Sequence, residues 1–386
     1  MSEQQTNRDY ASLHSVKATL AEAKATEEAA QAAIDAARAA LQGQKGRNTK
    51  APRRRVKAPK AAEPEASELD LEPQAPEQEA QAPKGEPTAE QRKAQRKAKK
   101  RAARKKGRRV LAGLLAVLLT LCVLGFGGYL YVQREKNTLE VTFYHLQSDH
   151  VSAPFRIVQL SDLHLKEFGE KNAELIGYVR ALQPDAIVIT GDMNNHYNDD
   201  VHVVTDLCSQ LVEIVDVYYV FGNHEWVDHI HRHTDIKAKI EATGVHLLEN
   251  SFETVTLNGT PVVIGGLVNE VGNYETYDAP AFMEDFMAQA GFKLLLVHYP
   301  EYFLGKLNGY EIDLAMCGHT HGGIVRIPKL GGLYSTDQGL FPELYEGMQT
   351  VPGGSTVVVS RGLGGDSKIP RINNNPELVV VDVSWY

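Results

Sequence analysis

The sequence predicts an α/β domain that follows a polar tail and a single membrane-spanning helix. Short apolar strands alternate with helix-like stretches from residue 153 onward, a pattern typical of a sheet covered by helices. Residues 110–132 form a run of 23 residues without a charge. Residues 1–132 carry 25 Lys and Arg against 15 Asp and Glu, whereas residues 133–386 carry 16 against 34. Such opposite charges indicate two parts in different surroundings.

Residues 1–43 are predicted to be helical. Leucine, isoleucine and alanine recur there at heptad spacing, with Glu27 as a polar break. Two interpretations are open: a coiled coil that joins copies of the chain into a homo-oligomer, and a solvated, partly helical tail. Residues 44–109 predict a disordered linker, because their composition cannot bury enough apolar surface to offset chain entropy. This linker ends in a basic cluster of twelve Lys and Arg at 92–109.

The uncharged run at 110–132 predicts a transmembrane helix. At about 1.5 Å per residue it spans the roughly 30 Å core of a bilayer. A signal peptide would not be preceded by about a hundred residues. Because the basic cluster precedes the run and only Arg134 and Lys136 follow it closely, the positive-inside rule places the N-terminus in the cytoplasm and the acidic part outside. The basic cluster should also attract anionic lipid headgroups.

After a connector at 133–152, the domain is predicted to occupy residues 153–386. Apolar strands are predicted at 155–160, 186–190, 217–221, 294–297 and 314–317, with a helix at 172–182. The stretches at 254–257, 262–265 and 356–359 are more β-rich. They predict that a second sheet closes the domain.

Polar residues that bind metals follow five of these strands at their carboxyl ends. They are Asp162, His164, Asp192, Asn223, His224, His298, His319 and His321. In open α/β sheets this edge is where ligands collect. Carboxylate, amide and imidazole groups suit hard or borderline divalent cations, and two cations about 3.5–4 Å apart need a bridging anion such as one Asp. The sequence therefore predicts a two-metal site.

Each motif has a structural alternative when it is taken alone. An Asp-x-His pair is more often structural, His298 alone is more often a satisfied core histidine, and Asn223 alone is suited to cap a helix. The pair His319 and His321, framed by glycines, lacks a good packing rationale. All five motifs at successive strand ends favour the metal site.

The combined motifs resemble those of the calcineurin-like metallophosphoesterases. They are SDLHL at 161–165, GDMNN at 191–195, GNHE at 222–225, VHYP at 297–300 and GHTHGG at 318–323. The resemblance covers roughly residues 153–386, and the membrane helix with the SRGLGG tail looks most like the bacterial membrane-associated branch. It implies a four-layer α/β/β/α sandwich.

The resemblance also implies a ligand set. One metal would be held by Asp162, His164 and His321, the other by Asn223, His298 and His319, with Asp192 bridging both and His224 beside the leaving group. Many relatives have Asp where this chain has Glu225, so the hydrogen-bond partner of Glu225 is an open question. The two divalent metal ions are open among Mn, Fe and Zn, since all three accept this ligand set.

These residues predict a metal-dependent phosphoric ester hydrolase for a phosphomonoester, phosphodiester or pyrophosphate bond. A metal-activated hydroxide would attack phosphorus, and His224 would protonate the departing oxygen. Asp192 and His224 are thus the predicted catalytic residues. The membrane helix suggests a lipid-linked or cell-envelope substrate. The alternative is a metal-binding scaffold or membrane-organising protein with weak or no catalysis.

Three arginines are candidates for binding the substrate phosphate. They are Arg326, Arg361 and Arg371, near the carboxy-terminal motifs. Each is equally compatible with a structural ion pair or a surface position. No nucleic acid is expected as a partner, because the acidic domain offers no basic stripe to attract one.

Overall fold

The computed structural model describes residues 88–196, 200–268, 279–365 and 369–386, together with Ala32. The predicted N-terminal helix and the linker up to residue 87 therefore lie outside the described residues, apart from Ala32, which is helical. Contacts divide the chain into two compact units, one containing Leu130–Tyr386 and the other at Arg47–Tyr129.

The helix α1 runs from Ala89 to Asn137. Thr88 begins it with a reciprocal cap, in which the backbone N–H of Gln91 donates to the Thr88 hydroxyl at 3.4 Å and the backbone N–H of Thr88 donates to Oε1 of Gln91 at 3.0 Å. The basic cluster, predicted as the end of a linker, is helical, consistent with its many Lys, Arg and Ala. Large apolar side chains from Val110 to Tyr131 are exposed. The helix is long and apolar enough to cross a membrane.

The described residues form these strands: β1 (Glu140–Gln147), β2 (Phe155–Leu160), β3 (Ala186–Ile189), β4 (Val217–Tyr219), β5 (His246–Leu247), β6 (Ser251–Leu257), β7 (Thr260–Leu267), β8 (Phe292–Val297), β9 (Leu314–Cys317), β10 (Arg326–Ile327), β11 (Gly331–Gly332), β12 (Tyr334–Ser335), β13 (Gly339–Leu340), β14 (Gly347–Thr350), β15 (Thr356–Val359) and β16 (Glu377–Ser384). The further helices are α2 (Ala173–Leu182), α3 (His202–Leu211), α4 (Asn223–Trp226), α5 (Ile236–Glu241) and α6 (Ala279–Ala288). The predicted strands and helix are all present, with ends that differ by three residues or fewer.

Two large sheets form in the described part of the chain. The first has the order β1-β16-β2-β3-β4-β5, and the second has the order β14-β15-β9-β8-β7-β6. The strands β2, β3, β4 and β5 pair in parallel, as do β7, β8, β9 and β15. Parallel pairing brings the carboxyl ends of neighbouring strands to one edge of each sheet.

Strand β1 lies in the residues that were predicted as a connector. It pairs in parallel with β16 along its whole length, from Glu140 opposite Glu377 to Gln147 opposite Ser384. Its side chains are half-buried or exposed, because it is an edge strand, and it therefore lacks the continuous apolar run that marks β2 and β3. The sheet thus begins thirteen residues before the predicted domain boundary at 153, and only Thr138 and Leu139 separate β1 from α1.

Three apolar clusters separate four layers. The helices α2 and α3 pack on the outer face of the first sheet, where Leu175, Val179 and Leu207 share one apolar cluster with Val158 and Ile189. The two sheets pack face to face through Ile157, Val188, Ile264, Leu294 and Leu296. The helix α6 covers the second sheet through Phe282 and Phe286, against Leu295 and Val297. Successive residues of a strand alternate between clusters, as the two-residue period of a strand requires. The predicted four-layer α/β/β/α sandwich is confirmed.

Candidate metal centre

The predicted metal ligands meet where strands of both sheets end. In the described part of the chain, ligand atoms within 4.8 Å of one another form a group of Asp162, His164 and His321, a group of His164, Asp192 and His224, and a group of Asp192, His298 and His319. The Oδ1 atom of Asn223 lies 3.2 Å from Nε2 of His298. Every side chain that the sequence predicts as a ligand therefore lies in one cluster.

Asp192 lies at the centre of this cluster. Its Oδ2 atom is 3.2 Å from Nε2 of His298, and 3.9 Å from Nε2 of both His164 and His224. The carboxylate is almost fully buried. One carboxylate that reaches imidazoles from both groups has the position required of a bridging ligand.

The cluster depends on backbone conformations that side chains usually avoid. Five of its residues have a positive φ: Asp162, His164, Asp192, His319 and His321. Each costs of order 1–3 kcal/mol and persists only where the surroundings hold it. Loop-to-loop hydrogen bonds do this here, since the N–H of Asp162 donates to the carbonyl of Gly191 at 2.9 Å and that of His164 to the carbonyl of Asp192 at 3.1 Å.

Two glycines before ligands allow the loops to approach each other. A Cβ added to Gly222 would lie 2.2 Å from Oδ1 of Asp192 and 2.5 Å from its backbone nitrogen. A Cβ added to Gly318 would lie 2.5 Å from Oδ2 of Asp162. These distances are far below van der Waals contact, so each glycine is required by the close approach of a ligand carboxylate.

Glu225 holds the loop that carries Asp192, and the backbone of this loop provides most of the hydrogen-bond partners of Glu225. Its carboxylate accepts hydrogen bonds from the backbone N–H groups of Asp192 at 2.8 Å, Met193 at 2.6 Å, Asn194 at 3.0 Å and Gly222 at 3.0 Å, and from the Tyr219 hydroxyl at 3.0 Å. All five partners are donors, so the group acts purely as an acceptor, as an ionised carboxylate does. Glu225 is therefore a positioning residue for the cluster.

The histidine nitrogens that face away from the cluster are already bonded. Nδ1 of His298 lies 2.7 Å from the carbonyl oxygen of Thr190, and Nδ1 of His164 lies 2.9 Å from Oδ1 of Asn195. These oxygens accept hydrogen bonds, so Nδ1 of each ring carries a proton and Nε2 is the nitrogen that faces the cluster and can bind a metal. Nε2 of His164 is buried without a hydrogen-bond partner. An orphaned acceptor is costly, and a cation would satisfy it, so these residues fit a divalent metal.

Electrostatics of the cluster also favour added positive charge. Burial would raise the pKa of Asp192, but His298, His224 and His164 hold it well below its usual range. Burial would lower the pKa of His298, but the Asp192 carboxylate outweighs burial and raises it to about 10. Without a metal, a proton on His298 thus offsets the charge of Asp192. Metal loading should release that proton.

His321 responds in the opposite direction. Burial, followed by the neighbouring His164 and Arg371, lowers the pKa of His321 well below its usual range. Its imidazole is therefore neutral, which is the form that binds a metal. Nε2 of His321 lies 3.8 Å from Oδ1 of Asp162.

Two contacts of the cluster were not found from the sequence. Nε2 of His319 makes a short hydrogen bond to Oδ2 of Asp337, while its Nδ1 lies 3.2 Å from Nε2 of His298. Asp337 therefore orients His319, but it lies in a loop whose spacing gives no signal. Nδ1 of His196 lies 2.9 Å from Nδ1 of His224. His196 directly follows the GDMNN motif at 191–195, and this position is the sequence signal that could have indicated the contact.

The three candidate arginines occupy different surroundings. Arg361 is buried, and its Nη2 lies 2.9 Å from Glu377 and 3.0 Å from Glu140. Nη2 of Arg326 pairs with Glu346 at 2.6 Å. Nη2 of Arg371 lies 3.3 Å from Nδ1 of His321. Among the described residues, Arg371 is the one of these three arginines whose guanidinium contacts a predicted metal ligand.

Comparison with known proteins identifies the family. Residues 155–323 match the calcineurin-like phosphoesterases. The chain is 30% identical over 266 residues to the uncharacterized metallophosphoesterase YkuE of Bacillus subtilis, which covers 66% of this chain and 89% of YkuE. It is 23% identical over 239 residues to the phosphodiesterase YaeI of Escherichia coli, covering 60% and 83% of the two chains. It is 25% identical over 259 residues to a bovine transmembrane protein with a metallophosphoesterase domain, covering 61% and 56%. The chain therefore belongs to the calcineurin-like phosphoesterase family and is a metal-dependent phosphoester hydrolase.

Proposed function

We propose that the chain is a membrane-anchored phosphoesterase that works with two divalent metals on a phosphomonoester, phosphodiester or pyrophosphate bond. The observation that carries the proposal is the buried Asp192 carboxylate, which lies between two groups of metal-ligand side chains. A structural histidine cluster would not need an acidic centre surrounded by imidazoles whose outer nitrogens are already bonded.

The proposed ligands follow the observed groups. Asp162, His164 and His321 would hold one metal, Asn223, His298 and His319 would hold the other, and Asp192 would be shared by both. The donors are nitrogen and oxygen atoms, which Mn, Fe and Zn all accept. When bound, the two cations supply positive charge that stabilises the phosphoryl oxygens and activates the attacking water.

His224 is proposed to donate a proton to the departing oxygen. The backbone N–H of His196 donates to Nδ1 of His224 at 3.2 Å, so Nε2 is the ring nitrogen that can hold a proton toward the cluster. Nε2 faces the cluster, 3.9 Å from Oδ2 of Asp192. The backbone N–H of His224 donates to Oδ1 of Asp192 at 2.9 Å. These contacts hold the proton where a leaving group beside the metals would need it.

The membrane anchor is proposed to be α1, with the N-terminus in the cytoplasm and the catalytic domain outside. The exposed apolar side chains of residues 110–131 support a span, and the basic cluster at 92–109 supports the orientation and contact with anionic lipids. Because two residues separate α1 from β1, the domain follows the proposed span closely along the chain. This proximity supports a lipid-linked or cell-envelope phosphoester as the substrate.

A metal-dependent assay tests the proposal. Full-length protein in detergent, loaded with Mn²⁺, should hydrolyse p-nitrophenyl phosphate or bis-p-nitrophenyl phosphate, and metal analysis should find two ions per chain. Asp192→Asn should lower the rate at least a hundredfold and reduce the metal content. Asp235→Asn is the matched control, since Asp235 is an exposed partner of Lys239 at the surface. No turnover with Mn, Fe or Zn, or an active Asp192→Asn protein, would refute the proposal.

A further inference from the structure

A cavity of about 310 Å³ opens beside the candidate metal centre. His321 lines it on the side of the cluster, and Lys166 and Arg371 contribute two cationic side chains. Gln133 and Lys136, at the end of α1, form another part of its wall. The wall of the cavity therefore includes both a predicted metal ligand and residues that follow the apolar run in sequence.

The two cations of this cavity are bonded to backbone carbonyls. Nζ of Lys166 donates to the carbonyls of Lys136 and Leu363. Nε and Nη2 of Arg371 both donate to the carbonyl of Gly364. In the described part of the chain, neither cation has a carboxylate within ion-pair distance. Arg371 is buried and Lys166 is half-buried. A charged side chain that is removed from water without a counter-charge is costly, and an anion in the cavity would remove that cost.

Arg371 also carries an unused donor. Its side chain is more than nine-tenths buried, and Nη1 has no hydrogen-bond partner. An unsatisfied donor on a charged group costs about 1–3 kcal/mol or more. The planar fork of a guanidinium matches the oxygens of a phosphate group. The unused nitrogen belongs to the side chain that also touches His321 at 3.3 Å, so a phosphate bound there would lie next to the metals.

We propose that Lys166 and Arg371 form an anion subsite that binds a second phosphoryl group of the substrate, beside the phosphorus that is cleaved. The subsite rests on the proposed function, because His321 must hold a metal for the cavity to adjoin the reacting phosphorus. It makes phosphoesters with two linked phosphates, such as pyrophosphate esters, better substrates than esters with one phosphate.

The shared chemistry is a diphosphate, and its source is either a lipid or a soluble compound. The wall formed by Gln133 and Lys136 favours the lipid, because Gln133 is the first residue after the apolar run at 110–132.

Matched substrate pairs test the subsite in the full-length, detergent-solubilised protein. Farnesyl diphosphate and farnesyl monophosphate form the lipid pair, and ADP and AMP form the soluble pair. For each pair, the measured quantity is kcat/KM for the diphosphate divided by kcat/KM for the monophosphate. This ratio should fall at least tenfold in Lys166→Gln and in Arg371→Gln, mainly through KM, and Arg371→Lys should restore part of it. General damage to the metal centre lowers both members of a pair and cancels in the ratio.

Lys239→Gln is the matched control, because Lys239 is an exposed lysine that pairs with Asp235. Its ratio should equal that of the wild type. A larger diphosphate preference in the farnesyl pair than in the nucleotide pair indicates a lipid substrate. Equal preferences indicate that the subsite recognises the diphosphate and not the group attached to it. Both results support the subsite. Ratios that do not change in Lys166→Gln and Arg371→Gln overturn it.

Calorimetry provides a readout that does not depend on turnover. The wild type should bind methylenediphosphonate more tightly than inorganic phosphate, and Lys166→Gln should reduce that difference at least tenfold. If the wild type cleaves neither the four substrates nor the two nitrophenyl esters, the proposed function fails, and calorimetry still decides on the subsite. If Arg371→Gln does not fold, Lys166→Gln alone decides. An equal affinity difference in the wild type and Lys166→Gln refutes the subsite.

Discussion

Replacing Glu225 with glutamine should destabilise the loops that form the candidate metal centre. Oε2 of Glu225 accepts the backbone N–H groups of Asp192 and Gly222, and Oε1 accepts those of Met193 and Asn194 together with the Tyr219 hydroxyl. Glutamine has one oxygen and one NH2 group at these positions. Whichever way the amide turns, at least two backbone donors face a donor.

The magnitude follows from the lost bonds. A hydrogen bond to a charged acceptor contributes about 1.5–3 kcal/mol, so losing two destabilises the domain by about 3–6 kcal/mol. Total stabilities of domains are only about 5–15 kcal/mol. For a domain of this size, about 1 kcal/mol shifts Tm by roughly 2–4 °C, so Tm should fall by about 6–24 °C. Because Oε2 accepts the backbone N–H of Asp192 itself and that of Gly222, the residue before Asn223, metal affinity should fall as well.

Thermal unfolding of the full-length protein in detergent, with and without Mn²⁺, measures this effect. Glu241→Gln is the matched control, since Glu241 is exposed on α5, and its Tm should stay within about 1 °C of the wild type, as for most surface substitutions. The Mn²⁺-induced rise in Tm should be smaller in Glu225→Gln than in the control. A Glu225→Gln protein that melts with the control and binds as much metal would refute the positioning role.

Three further perturbations give distinct outcomes. Gly222→Ala places a methyl group 2.2 Å from Oδ1 of Asp192, so metal analysis should find less than two ions per chain, and a normal content would contradict the packing argument. Arg361→Gln leaves buried Glu377 without its ion-pair partner at 2.9 Å, and denaturation should show a loss of about 3–5 kcal/mol; a loss below about 1 kcal/mol would indicate a role other than stability. Chelation by EDTA should abolish turnover and lower Tm, because bound metals stabilise the folded state, and added Mn²⁺ should restore both; turnover that survives EDTA would argue against metal dependence.

Several features were predictable from local sequence because they have local causes. The strands β2, β3, β8 and β9 are continuous apolar runs, because a sheet that is covered on both faces buries the side chains of both faces. The ligand types at their ends are set by metal chemistry, so residues such as Asp162 and His319 stand out by type and position. The apolar segment of α1 is long and apolar enough to cross a bilayer, and length and composition are visible in the sequence. The family and the fold were therefore predicted correctly, and the side chains predicted as metal ligands lie in one cluster.

Other features depend on contacts between distant parts of the chain. Strand β1 was missed because an edge strand is half-buried and owes its place to pairing with β16, more than two hundred residues later. Asp337 was missed because nothing near it in sequence marks its contact with His319. The partners of Glu225 became visible only when the loops after β3 and β4 met.

The sequence by itself determined which residues can bind metals and which segments are apolar, since side-chain chemistry and hydrophobic periodicity act over a few residues. The tertiary structure decided which polar groups have partners. It placed Arg361 in a buried ion pair with Glu377, and it left Nη1 of the chemically identical Arg371 unbonded. The physical reason is that hydrogen bonds and ion pairs act over about 3–4 Å, a distance that only folding establishes between residues far apart in the chain.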